Sequence, residues 1–171
     1  LKEKPSQKER DHVASVLYKV FIRGFYEHQI IHADPNPGNF IITPDLKTGI
    51  VDFGCIKQFS PGFVADHREL IHVVIHKKEA DYLSALERMN ILSPGLSKGN
   101  KETILPLIKS VIEWYSTLYE DEIFDFSHSS AFLDQGKVLM QKLFRYKKNF
   151  SPNAEFVFLD RTRYGLYRVF E

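Results

Sequence analysis

The chain has 171 residues, 43% hydrophobic and 26% charged, a balance that supports a packed domain and excludes disorder or a fibrous repeat. Its 23 Lys and Arg against 22 Asp and Glu leave a formal charge of +1, so no nucleic-acid partner is expected. The lone Cys55 excludes an internal disulfide scaffold, and no apolar run approaches the roughly 20 residues that span a bilayer. A cytoplasmic chain is the expectation. Leu at position 1 in place of Met suggests a processed chain or a piece of a longer one.

In chain order, Val13, Val16, Leu17, Val20 and Phe21 recur at helical spacing, and Ser6 with Glu9 forms a capping-box pattern, which predicts a long helix from Lys8 to about His28. Ile30-Ile31, Phe40-Ile41-Ile42 and Gly49-Ile50-Val51 are short β-prone runs punctuated by Pro35, Pro37, Gly38 and Thr43-Pro44-Asp45. They predict two or three small strands. Beyond Ser60-Pro61-Gly62, a helix with Pro61 in its first turn is predicted, burying Val64, His67, Leu70, Ile71, Val74 and Ile75. A second helix carries Tyr82, Leu83, Leu86 and Met89 and ends at Ser93-Pro94-Gly95, and Ile104 to Leu118 gives the cleanest amphipathic pattern. Two more helices are expected near residues 130–147 and 154–170.

The β insertion between the first two helices is dense in His, Asp, Asn and Gly. It contains Ile31-His32-Ala33-Asp34-Pro35-Asn36-Pro37-Gly38-Asn39-Phe40 and then Val51-Asp52-Phe53-Gly54, with Asn39 five residues after Asp34 and Asp52 a further 13 on. Phosphoryl transfer from ATP needs a carboxylate to orient the attacking oxygen and oxygen ligands to hold Mg²⁺ against the phosphates. Asp34, Asn39 and Asp52 are residues of that kind. Each alone would be an ordinary loop or capping residue; the set at these spacings favours the chemical reading.

The pattern resembles the catalytic loop and Asp-Phe-Gly motif of protein-kinase-like enzymes, and its wording is similar to the UbiB (AarF-type) atypical kinase family, associated with isoprenoid quinone biosynthesis. The resemblance extends to the helices after Asp-Phe-Gly and to Arg163-Tyr164-Gly165-Leu166. It implies a mainly α (α+β) fold, the helical carboxy-terminal lobe of a kinase-like domain with short strands carrying the catalytic and metal loops, over residues 1–171 as a single domain. By the same resemblance Asp34 takes the place of the catalytic aspartate, and Asn39 and Asp52 those of the nucleotide-bound magnesium ligands. The implied cofactors are ATP and Mg²⁺. The implied partners are a nucleotide and a lipid or isoprenoid-linked substrate or membrane surface. His32 is expected to brace the loop, Phe53 to pack in the core, and Gly38 and Gly54 to supply backbone freedom.

Some residues depart from the pattern. Ala33 stands where ordinary protein kinases have Arg, so switching through an activation-loop phosphate is not expected. Only Cys55 to Ser60 separates Asp-Phe-Gly from the next helix, which counts against a docked peptide substrate, and Asn36 replaces the His more usual in the family. Residues 1–31 contain no Gly-rich or Ala-rich phosphate loop, no strand Lys with a helix Glu, and no Lys-x-Gly-Gln motif. The nucleotide-covering lobe is therefore expected elsewhere, and residues 1–171 alone are expected not to turn over ATP. A small-molecule kinase of the aminoglycoside or choline phosphotransferase type and a non-catalytic pseudokinase scaffold are the alternatives.

Other signals receive structural readings. His72 and His76 sit four apart without a third obvious ligand, and Cys55 is expected to be a buried, inert thiol. Residues 137–171 hold eight Lys and Arg against three acids; a solvated basic face over core aromatics is preferred there to a membrane-binding surface.

Overall fold

The structure, a computed structural model, describes residues 4–93, 95–120, 122–126, 129–151 and 153–171. Leu1 and Pro94 lie outside the described residues. The chain gathers into two compact units, one made of the chain up to Pro61 together with Phe158–Glu171, the other of Gly62–Val157.

In the first unit, helix α1 spans Gln7–His28 and opens with the expected capping box: Ser6 Oγ accepts from the Glu9 backbone N–H, and the Glu9 carboxylate accepts from the Ser6 N–H at 2.7 Å. Its buried stripe is Leu17, Phe21 and Phe25, spaced by four; Val20, expected on that face, is exposed. Gln29 adopts a left-handed φ of 54° and closes the helix by donating its N–H to the Gly24 and Phe25 carbonyls. That turn delivers the chain into the strands.

Four strands form, where two or three were expected. β1 (Ile30–His32) pairs antiparallel with β4 (Ile56–Gln58), and β2 (Phe40–Ile42) with β3 (Thr48–Ile50). Ile56-Lys57-Gln58 carries little apolar signal of its own and becomes a strand through its partner: Ala33 N–H to Cys55 O and Phe59 N–H to Gln29 O, both 2.8 Å, continue the ladder past each end. The last helix, α6 below, adds Leu159, Thr162, Arg163, Leu166 and Tyr167 to the buried side chains of this unit. Tyr18 of α1 meets Phe170 edge to face at 6.4 Å. Each fully buried aliphatic or aromatic side chain contributes roughly 1.5–3 kcal/mol relative to exposure.

The second unit is helical. α2 (Pro61–Ile75) has Pro61 at its first position and buries Phe63, Val64, His67, Leu70, Val73 and Val74. The buried face includes Val73, fully enclosed, in place of the expected Ile75, which is 45% exposed. α3 (Tyr82–Arg88) is shorter than expected: Asn90 turns left-handed at φ 51°, and Leu92 leaves to bridge Phe150. The Asn153 side-chain amide, donating to the Met89 carbonyl at 2.6 Å, fixes that exit. α4 (Lys98–Ser116) is capped by Ser97 and tolerates Pro106. α5 (Ser129–Phe144) packs on α4, where Trp114 stacks on Phe132 at 4.6 Å and donates its indole N–H to the Phe132 carbonyl. α6 (Ala154–Phe170) begins in this unit and ends in the first.

His72 and His76 sit on the surface with ring centres 4.2 Å apart. His76 Nδ1 donates to the His72 carbonyl at 2.8 Å, and the Lys78 ammonium donates to His72 Nε2 at 3.0 Å. Among the described residues no three His, Cys, Asp or Glu side chains converge on a metal position. The carboxy-terminal aromatics divide: Tyr167 is buried as expected, whereas Phe144 is 69% exposed with the Lys147 ammonium 5.1 Å over its ring. No described helix is long and apolar enough to cross a membrane.

Candidate active site

The site is built on the turn between β1 and β2. Ala33, buried to 2% exposure, is followed by Asp34-Pro35 in irregular backbone. Asn36 caps the 3-10 turn Pro37–Asn39: its Oδ1 accepts from Gly38 N–H at 2.9 Å, and its carbonyl accepts from Asn39 N–H at 2.9 Å. The turn folds Asn39 back onto Asp34. The Asn39 side-chain amide donates to Asp34 Oδ2 at 2.9 Å and to the Asp34 carbonyl at 3.2 Å, in a part-buried setting. One amide thus fixes both the backbone and the carboxylate of Asp34, and because its NH₂ is spent there, Asn39 Oδ1 is left as a free acceptor.

The Asp52 loop is tied to this turn from two directions. Val51 N–H donates to the Asn39 carbonyl, and His32 Nε2 donates to the Asp52 carbonyl, both at 2.9 Å. A carbonyl can only accept, so the imidazole carries its proton on Nε2. His32 is a brace, as expected. Asp52 takes a left-handed φ of 59° and accepts from Gly54 N–H through Oδ1 at 3.2 Å. Asp is among the few residues that tolerate this conformation. Neither Gly38 nor Gly54 has a positive φ, which corrects the expected need for backbone freedom. What both need is room, since a Cβ would sit 3.3 Å from Asn36 Oδ1 and 3.1 Å from Asp52 Oδ1 respectively.

Two other expectations are corrected here. Phe53 is 64% exposed, with its ring edge-on to His32 at 5.8 Å. The Cys55 thiol is also exposed; β4 uses the Cys55 carbonyl in pairing and leaves the side chain in solvent. Both residues follow a strained aspartate in a tight turn, and that geometry overrides apolar preference. Beneath the loops lies an apolar pocket of about 360 Å³ whose walls include Leu17, Phe21, His32, Pro35, Phe53 and Leu166.

The donor set fits a hard divalent cation. Asn39 Oδ1 and the Asp52 carboxylate are oxygen donors of the kind such a cation accepts, since Mg²⁺ typically takes only one or two carboxylates from a protein and fills its remaining positions with phosphate oxygens and water. The Asp34 carboxylate is instead engaged by the Asn39 amide through Oδ2. The structure therefore joins Asp34 to Asn39 by a direct hydrogen bond and ties the backbone on either side of Asp52's peptide to Asn39 and His32, between the β1–β4 pair and the β2–β3 hairpin. Sequence reasoning passed over the packing of Gly165 against Pro35, where a Cβ at 165 would lie 2.2 Å from the ring Cγ. The available signal was a glycine in the interior of an amphipathic helix.

Residues 2–86 match the profile of the ABC1 atypical kinase-like domain. Among similar proteins, one from Synechocystis described as uncharacterized protein slr1919 is 28% identical over 130 residues, covering 76% of this chain and 22% of that protein. The mitochondrial atypical kinase COQ8 of Schizosaccharomyces pombe is 27% identical over 135 residues, covering 78% of this chain and 21% of its own length. The chloroplastic protein ACTIVITY OF BC1 COMPLEX KINASE 3 of Arabidopsis thaliana is 29% identical over 98 residues, covering 55% and 12%. The chain thus spans about a fifth of the length of the first two relatives. The matched segment contains every loop residue described above, and this segment belongs to the ABC1 atypical kinase-like family, the UbiB type that its motifs resemble.

Proposed function

We propose that the chain carries the catalytic and metal loops of an ATP- and Mg²⁺-dependent phosphoryl-transfer enzyme, a kinase or ATPase. The observation that carries the reading is the Asp34–Asn39 clamp tied through Val51 and His32 to the Asp52 loop. Bound Mg-ATP would supply the transferable phosphoryl group and the charge that neutralises it. The Asp34 carboxylate, its Oδ2 held by the Asn39 amide, would orient the attacking oxygen through its other oxygen. Asn39 Oδ1 and Asp52 would hold the cation. Two relatives whose names call them kinases support this class of chemistry.

The same reading places the nucleotide-covering lobe outside residues 1–171, which form the carboxy-terminal lobe as one domain and do not turn over ATP alone. It gives the whole protein a role in isoprenoid quinone or related lipid metabolism, with a cytoplasmic location peripheral to a membrane. The short link between Asp-Phe-Gly and α2 favours a small or lipid-linked acceptor over a peptide. The test is Asp52→Asn in the full-length protein, which keeps the shape of the side chain and removes its charge. Mg²⁺-dependent ATP hydrolysis is expected to fall roughly a hundredfold to a thousandfold with an unchanged melting temperature. Wild-type hydrolysis by the folded variant would remove Asp52 from the metal site, whereas no hydrolysis by the unmutated full-length protein would leave a scaffold role as the better reading.

A further inference from the structure

Gly165 lies in the second half of the 17-residue helix α6. Glycine is a poor choice there, because Ala is the better helix former and Gly carries the larger entropic cost of ordering. Its φ is not positive, so no backbone conformation requires glycine. The reason is steric. A Cβ at this position would fall 2.2 Å from Pro35 Cγ, 3.2 Å from Pro35 Cβ and 3.5 Å from Pro35 Cδ. The pyrrolidine ring cannot swing away as a flexible side chain would, since its φ is fixed by the ring.

Pro35 is bonded directly to Asp34, and a residue before proline is itself restricted to extended backbone. A push on the ring therefore moves the Asp34 backbone. Asp34 is held by the Asn39 amide at two atoms, with bonds of 2.9 and 3.2 Å, and small displacements break such a clamp. On the other side of the turn, α1 makes a matching close approach: a Cβ at Gly24 would lie 2.6 Å from the Ile30 carbonyl oxygen at the start of β1. Two helices that bear glycine at their contact points thus press on the strand and the turn that present Asp34. Leu166, next to Gly165, completes the seat in the wall of the pocket beneath His32 and Pro35.

We infer that Gly165 is a positioning residue for Asp34: its missing side chain lets α6 act as a stop against Pro35, which sets the Asp34–Asn39 clamp. The consequence for turnover rests on the phosphoryl-transfer reading of Asp34, whereas the consequence for the clamp does not.

The experiment compares wild type with Gly165→Ala, Pro35→Ala, the double variant and Asp34→Asn in the full-length protein, reading ATP turnover, melting temperature and hydrogen exchange of the Asn39 side-chain amide by NMR. Gly99→Ala serves as control, because that helical glycine has nothing within 4 Å of a built Cβ. Gly165→Ala is expected to lower turnover about a hundredfold, the scale of a misplaced reacting group, and to speed Asn39 amide exchange, while Gly99→Ala does neither. The double variant, which removes Cγ and Cδ of the ring, is expected to regain about tenfold over Gly165→Ala and to restore the slow exchange. Wild-type turnover and exchange in Gly165→Ala, or a double variant no better than Gly165→Ala, would overturn the inference. If Gly165→Ala does not fold, a folded and active double variant supports the inference and an unfolded one overturns it. Wild-type turnover in Asp34→Asn would remove the catalytic reading alone, and the Asn39 exchange would still decide on Gly165.

Discussion

The two loops that carry the acids are built on different principles. In residues 33–39 the carboxylate of Asp34 is half-buried, flanked by proline and held at two atoms by one amide. In residues 51–54 the carboxylate of Asp52 is exposed, stands on a left-handed backbone and is steadied by one 3.2 Å bond from Gly54 and by the His32 brace on its carbonyl. The first loop fixes direction before any ligand arrives. The second fixes only the position of its backbone and leaves Asp52 Oδ2 without a donor among the described residues, as the proposed role of cation ligand would require. An orienting group needs a set angle, and a metal ligand needs reach and charge.

The largest expected effect separates charge from backbone in the second loop. Asp52→Gly removes the ligand and also relieves a left-handed conformation that costs a non-glycine residue about 1 kcal/mol. ATP turnover should fall roughly a hundredfold to a thousandfold, while thermal denaturation shows a melting temperature equal to or above wild type. A clear loss of stability would mean that the Asp52 side chain holds the loop together, and the contrast between the loops would fail. In the first loop stability and chemistry should fall together. Asn39→Leu leaves the part-buried Asp34 carboxylate without its donor, at a cost of about 1–3 kcal/mol, and turnover should drop by about one to two orders of magnitude. Urea denaturation beside the activity assay reads both. Intact stability would show that Asp34 is held by something other than Asn39.

The smallest effect belongs to the brace between the loops. His32→Ala strips the Asp52 carbonyl of its donor and Phe53 of its edge contact, and should lower stability by about 1–2 kcal/mol in urea denaturation. Turnover, measured below the melting transition, should fall less than in Asn39→Leu. A loss of turnover equal to that of Asp52→Gly with unchanged stability would give His32 a direct chemical role.

The parts of the fold that came through from the sequence are those with local causes. The capping box of α1 and the apolar stripe of α4 are patterns within one element, and the spacing of Asp34, Asn39 and Asp52 is a pattern of residue type. What did not come through depends on partners distant in sequence. Ile56-Lys57-Gln58 is a strand only because β1 presents its edge. Phe53 and Cys55 look like core residues by composition, but the left-handed turn at Asp52 directs them outward. The buried face of α2 includes Val73 rather than Ile75 because helical periodicity limits the stripe without fixing its rotation. The contact of Gly165 with Pro35 joins positions 130 residues apart, and a single glycine in a helix does not announce its neighbour.

The unit that holds the candidate site is discontinuous: its last portion, Phe158–Glu171, is separated from the rest by the whole of Gly62–Val157. At synthesis rates of about 5–20 residues per second, roughly 5–20 s pass between the emergence of Pro61 and that of Phe158. During that interval the two strand pairs lack Leu166, Tyr167 and the seat for Pro35, and the apolar side chains of α1 have no α6 to cover them. The intervening helices, contiguous in sequence and rich in local contacts, can assemble first. A nascent chain stalled before residue 158 should therefore expose the site-bearing segment to proteases and chaperones, and the site would be among the last parts of the molecule to close.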